Sequence, residues 1–150
     1  MMSDNLKQKI QSEMKAAMKS GDKTRLGAIR LMMAAIKQRE VDERISLDDD
    51  QIIAILDKML KQRRESIKMY NDASRKDLAD VEEAEIQVIQ EFLPEALSEA
   101  EIDQMISASI KETGAESMRD MGKVMGKLRP LMQGRADMAQ VSSRIKAMLS

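Results

Sequence analysis

Two apolar stripes, each broken once by a charge, constrain this chain more than any other feature of its sequence. The first runs Ile52, Leu56, Met59, then Arg63, then Ile67 and Tyr70; the second runs Leu78, Val81, then Glu85, then Val88 and Phe92. Both keep the three-and-four spacing of a helix that buries one face against another. If the two helices fold back antiparallel across a turn at Asn71 to Lys76, Tyr70 faces Leu78, Ile67 faces Val81 and Leu56 faces Phe92. The two interruptions then meet, Arg63 against Glu85. The spacing predicts a largely buried, hydrogen-bonded ion pair, because a buried charge is tolerated when an opposite charge answers it. The alternative is that each charge snorkels outward from the seam edge.

The rest of the chain carries the same helical signature. Only two prolines, six glycines and two aromatic residues (Tyr70 and Phe92, both expected in the core) accompany 15 methionines, and strand-type alternation is not found. The fold class is all-α. Seven helices are expected. Leu6, Ile10, Met14 and Ala17 mark the first, stopped by Ser20-Gly21, and Leu26, Ile29, Met33 and Ile36 mark the second, with Lys37, Gln38, Arg39, Glu40, Asp42 and Glu43 solvated and an end near Arg44. A hydroxyl cap at Ser46 opens the third helix. The fourth closes at Phe92-Leu93 because Pro94 pushes Leu93 out of helical geometry. Ser98-Glu99-Ala100-Glu101 is a capping box for a fifth helix bearing Ile102, Met105, Ile106 and Ile110. Ser117 opens a sixth with Met121, Val124, Met125 and Leu128, stopped by Pro130, and Asp137 caps a seventh with Met138, Val141, Ile145 and Met148. Two domains follow: hairpins of four helices over 1–93 and a three-helix unit over 98–150.

Composition excludes several chemistries. The chain has no cysteine and no histidine, so disulfides, thiolate or imidazole metal sites and His-dependent triads are out of reach. No apolar run is long enough to span a membrane. The opening Met1-Met2-Ser3-Asp4-Asn5 has neither basic nor apolar signal character, which predicts a cytoplasmic address. Acidic clusters at Asp48-Asp49-Asp50 and Glu82-Glu83-Glu85 are explained by helix first turns and solvated faces, so no metal and no cofactor is expected. Gly122-Lys123-Val124-Met125-Gly126-Lys127 lacks the glycine spacing and the hydroxyl residue of a phosphate loop. A glycine pair one turn apart is instead expected to let another backbone approach closely.

Charge is unevenly placed. Residues 94–116 carry Glu95, Glu99, Glu101, Asp103, Glu112 and Glu116 against Lys111 alone. Residues 117–150 carry Arg119, Lys123, Lys127, Arg129, Arg135, Arg144 and Lys146 against Asp120 and Asp137. Such a basic block is either a polyanion-binding surface or a solvated face.

Four separated motifs then coincide: Lys61-Gln62-Arg63-Arg64-Glu65-Ser66-Ile67, Glu91-Phe92-Leu93-Pro94-Glu95-Ala96-Leu97-Ser98, Asp120-Met121-Gly122-Lys123-Val124-Met125-Gly126 and Gly134-Arg135-Ala136-Asp137. In this order and spacing they resemble the YqeY family over essentially the whole chain. The chain departs from the family pattern with Arg129 before Pro130 and Met138 after Asp137. The second half is also similar to the tail domain of the GatB subunit of tRNA-dependent amidotransferases, which touches the tRNA body while chemistry proceeds elsewhere. The resemblance implies a non-catalytic accessory protein, kin to glutamine-dependent carbon–nitrogen ligases. Together with the basic block, it leads to the expectation of docking on tRNA through Lys123, Lys127, Arg129 and Arg135, with Gly122, Gly126 and Gly134 allowing backbone to approach phosphate. With no aromatic side chain left for stacking, such binding rests on phosphates and shape. The other reading is a protein–protein adaptor, meeting amidotransferase or aminoacyl-tRNA synthetase components without RNA contact.

Overall fold

Residues 5–150 are described by a computed structural model, and among them the regular structure is entirely helical. The helices are α1 (Leu6–Ser20), α2 (Lys23–Glu43), α3 (Asp49–Asp72), α4 (Lys76–Gln90), α5 (Glu99–Thr113), α6 (Met121–Met132) and α7 (Met138–Leu149). A short 3-10 turn, Met118–Asp120, leads into α6. No described helix is long and apolar enough to cross a membrane. The chain divides after Pro94 into two compact units.

The boundaries follow local chemistry. Gly21 and Gly114 end α1 and α5 in the left-handed conformation, at φ 75° and 67°. Ser98 and Glu101 form a reciprocal capping box, and its hydrogen bonds hold the Glu101 carboxyl below its ordinary range. Asp137 caps α7 by accepting from the Ala139 N–H at 3.0 Å. Several boundaries differ from expectation. α4 stops at Gln90, short of Phe92-Leu93, and the segment after Ser117 begins as a 3-10 turn before α6. The N-cap of α3 is Asp48, boxed with Gln51, and not Ser46, because Leu47 between them is drawn into the core and the helix starts beyond it. Pro130 lies within the last turn of α6, which runs on to Met132, since loss of one N–H near a helix end leaves the next two residues free to bond.

In the first unit, Ile10, Ile29, Met32, Ile36, Ile52, Leu56 and Ile89 are fully buried. Polar links fasten its helices at the edges. Lys7 Nζ lies 2.9 Å from Glu40, which also accepts from the Leu47 N–H, and these two donors hold its carboxyl low. Arg25 joins Glu13 at 2.8 Å and also Glu91, while Lys9 and Arg25 flank the Phe92 ring.

The α4 stripe is rotated from the expected one. Val81 is 60% exposed, whereas Ala79 and Ile89 are buried and Glu82 turns partly inward. Tyr70 is half-buried rather than in the core, while Phe92 is buried. Arg63 Nε sits 3.5 Å from Glu85 Oε1 and 3.8 Å from Glu82 Oε2, with the three side chains 14%, 19% and 20% exposed. Nε itself has no hydrogen-bond partner, and Nη1 donates to the Met59 carbonyl at 3.3 Å. The contact is therefore an ion triad without the expected hydrogen bond, because the guanidinium is turned toward its own helix.

In the second unit, Ile106, Val124, Leu128, Met132, Val141 and Ile145 form the core. Leu149 closes its end, and Met148 is exposed instead.

Candidate nucleic-acid interface

Helix α6 carries most of the site expected from sequence. Its inner face sends Val124, Leu128 and Met132 into the core, so Gly122, Lys123, Gly126 and Lys127 come to lie on the solvent face, with Arg129 exposed at its edge. A Cβ built on Gly122 or Gly126 meets no heavy atom within 4 Å. The close backbone approach expected of this pair is thus not made by any other described part of the chain. The glycines leave a bare strip one turn long beside two lysines.

The cations differ in how free they are. Lys123 is 70% exposed and its Nζ lies 3.9 Å from Asp120, whose carboxyl is held low chiefly by the Glu116 N–H. Lys127 pairs with Glu112 at 2.8 Å. Arg129 has no ion partner among the described residues. Arg135 sits in the loop after α6, where Gly134 takes φ 80°. Its Nε donates to the Glu95 carbonyl at 2.9 Å, and its carbonyl accepts from the Leu97 N–H at 2.8 Å. Arg135 thereby holds the 95–97 segment against the loop, a structural duty invisible from spacing.

The basic block of residues 117–150 is not a basic domain. Arg144 lies 2.6 Å from Asp103 and 3.2 Å from Glu99, and Lys127 reaches Glu112, so the acidic segment folds onto the basic one. Residues 95–150 carry eight basic and eight acidic side chains, which leaves the second unit neutral. Within residues 117–150, the exposed cations without an ion partner among the described residues are Arg119, Arg129 and Lys146. Arg119 and Lys146 are exposed cations that sequence reading did not assign to the site, and the signal for them is only their membership of the block.

A depression of about 470 Å³ in the first unit is lined by Lys9, Glu13, Asp49, Phe92 and Pro94 among others. Its two carboxylates outnumber its one cation, the wrong balance for phosphate. No group of three or more acidic side chains among the described residues converges as a metal site would require.

The family described as Yqey-like protein matches residues 7–149. Among curated proteins, the chain is 30% identical over 141 residues to the altered inheritance of mitochondria protein 41, mitochondrial, of Pyrenophora tritici-repentis, covering 92% of this chain and 77% of that one. It is 33% identical over 106 residues to the protein of the same name from Lachancea thermotolerans, covering 69% and 57%. It is 27% identical over 125 residues to that of Saccharomyces cerevisiae strain YJM789, covering 79% and 68%. These relatives correct the cytoplasmic address, since all three are named as mitochondrial proteins. That expectation rested on residues 1–5, of which 1–4 lie outside the described residues, and the lack of a secretory signal does not exclude other addresses.

Proposed function

This chain belongs to the YqeY family, and from that premise we propose that it is a non-catalytic accessory protein whose second unit docks on tRNA through the solvent face of α6. One observation carries the reading. Gly122 and Gly126 are bare, with no other described part of the chain against them, while Lys123 and Lys127 stand beside them on the same exposed face. A phosphate backbone can approach such a helix to contact distance and still meet ammonium groups at the flank. Arg129 adds a cation with no ion partner among the described residues at the edge of the strip. Gly134 and Arg135 shape the adjoining loop, with Arg135 reaching phosphate only through guanidinium nitrogens other than Nε.

Binding of this kind is shape-led and strongly salt-dependent. With a tRNA pool at low ionic strength, the full chain is expected to bind with an affinity that falls linearly on a log–log salt plot. Each lysine removed should flatten that slope by roughly 0.7–0.9. Lys123→Gln with Lys127→Gln is the decisive variant. Binding that is absent at low salt, or unchanged in the double variant, removes the tRNA role and leaves a protein–protein adaptor in its place.

A further inference from the structure

Helix α2 presents a second seam, partly apolar, on the side away from the core. Its inner face buries Ala28, Ile29, Met32 and Ile36. On the opposite side, Thr24, Gly27, Leu31, Ala34, Gln38 and Val41 follow one another at three-and-four spacing, all exposed, with Leu31 at 46% and Val41 at 63%. Ile45, beyond the left-handed cap at Arg44, is also exposed, at 40%. The positions from Thr24 to Val41 keep the a and d spacing of a coiled-coil strand over three heptads, with Leu31, Ala34 and Val41 apolar and Thr24, Gly27 and Gln38 small or polar between them. A Cβ built on Gly27 meets nothing within 4 Å, so no described part of the chain fills the notch that the glycine makes.

Beside this seam runs a ladder of cations at seven-residue intervals: Lys23, Arg30, Lys37 and, at the C-cap, Arg44. All four are exposed, and none has an ion partner among the described residues. They occupy the position of the heptad that flanks the seam on one side, with successive members about 10 Å apart along the axis. The flank on the other side, Ala28, Ala35 and Asp42, turns toward the unit's own core at its first two members.

We propose that this face of α2 is a docking surface for an acidic amphipathic helix of another protein, apolar at its own a and d positions and carrying Glu or Asp at the flanking position that meets the ladder. The seven-residue repeat is the reason for choosing a helix, because two packed helices return to the same contact every heptad, whereas a lipid surface and an RNA groove have no such period. The charge pattern is the reason for choosing a different protein over a second copy. In an antiparallel self-pair the ladder faces its own image and like charges meet; in a parallel self-pair it faces Ala28, Ala35 and Asp42, two of which carry no charge. The small residues Gly27 and Ala34 let the visiting helix come close, and Leu31 and Val41 supply the apolar contact. This surface belongs to the first unit and does not depend on the tRNA reading.

The test uses the full chain and a synthetic three-heptad peptide with Leu at a and d and Glu at both flanking positions, beside a control peptide with Lys at those positions. The Glu peptide is expected to gain helicity by circular dichroism on mixing and to bind with salt-sensitive affinity, and the Lys peptide to do neither. Arg30→Glu with Lys37→Glu, both at exposed positions, should weaken the Glu peptide by about tenfold or more and create binding to the Lys peptide. An unchanged thermal melt shows that the variant is folded. Equal binding of both peptides, or of neither, overturns the proposal. So does binding to phosphatidylglycerol vesicles without binding to the Glu peptide, which gives the face to a membrane. A dimer that Leu31→Asp dissociates also overturns it, giving the face to a second copy.

Discussion

Arg63 and Glu85 meet across α3 and α4 with Nε 3.5 Å from Oε1, and Glu82 closes on the same guanidinium from one turn away at 3.8 Å. One cation therefore answers two carboxylates in a site that is mostly, though not wholly, withdrawn from water. Burial and the neighbouring Glu85 raise the Glu82 carboxyl above its ordinary range, with Arg63 opposing them.

Removing the cation should leave the two carboxylates facing each other. Arg63→Met is expected to destabilise the chain by about 1–3 kcal/mol in urea denaturation, less than for a fully buried pair because the site is partly wet. Adding Glu82→Gln and Glu85→Gln should recover most of the loss. A change below about 0.5 kcal/mol for Arg63→Met would place the triad with ordinary surface pairs.

Glu82 alone gives a pH-dependent effect of defined sign. Its folded carboxyl is raised, so its contribution to stability is present at low pH and is lost as pH rises through the raised value. Glu82→Gln should accordingly raise the melting temperature at neutral pH and have little effect below the ordinary carboxylate range. A gain of equal size at both pH values would show that ionisation at Glu82 is not the cause.

The glycines of α6 should set stability against binding. Since no described residue outside the helix's own backbone comes within 4 Å of a Cβ at Gly122 or Gly126, replacing each by Ala is expected to stabilise by about 0.5–1 kcal/mol through helix propensity. The same changes should weaken tRNA binding by filling the strip. Loss of stability on either substitution would mean that the open space is occupied in the folded protein.

Each unit has its own core, and the second is closed by its own capping box and its Arg135 strap. The fragment 95–150 is expected to fold alone with a cooperative thermal transition, though with modest stability for its size. A non-cooperative melt would show that its core is completed elsewhere in the chain. Limited proteolysis of the full chain should cut between the units at Pro94, and Arg135→Ala, which releases the Nε link to Glu95, should widen the cut to residues 94–98.

Much of the helical frame was legible because capping and termination are local. Gly21, Ser98 and Asp137 act on backbone groups within a few residues, so their effect can be read without knowing what lies across from them. Ser46 and Pro130 misled because a local signal can lose to its surroundings: Leu47 was pulled into the core, and the last turn of α6 survived a missing donor.

What one helix shows another depends on packing. The heptad pattern brings Arg63 to Glu85, but only the rotation of α4 turns Val81 outward and Glu82 inward, because a stripe specifies a face to within about one residue in each turn. The acidic and basic segments look like opposite domains along the chain, and α5, α6 and α7 fold them into one neutral unit, since Coulomb attraction acts through space and not along sequence. Helix α2 carries apolar residues on two opposite sides. Its residue order alone makes it a helix with both; packing against α1, α3 and α4 selected which side became core and left the other, with its basic ladder, facing water.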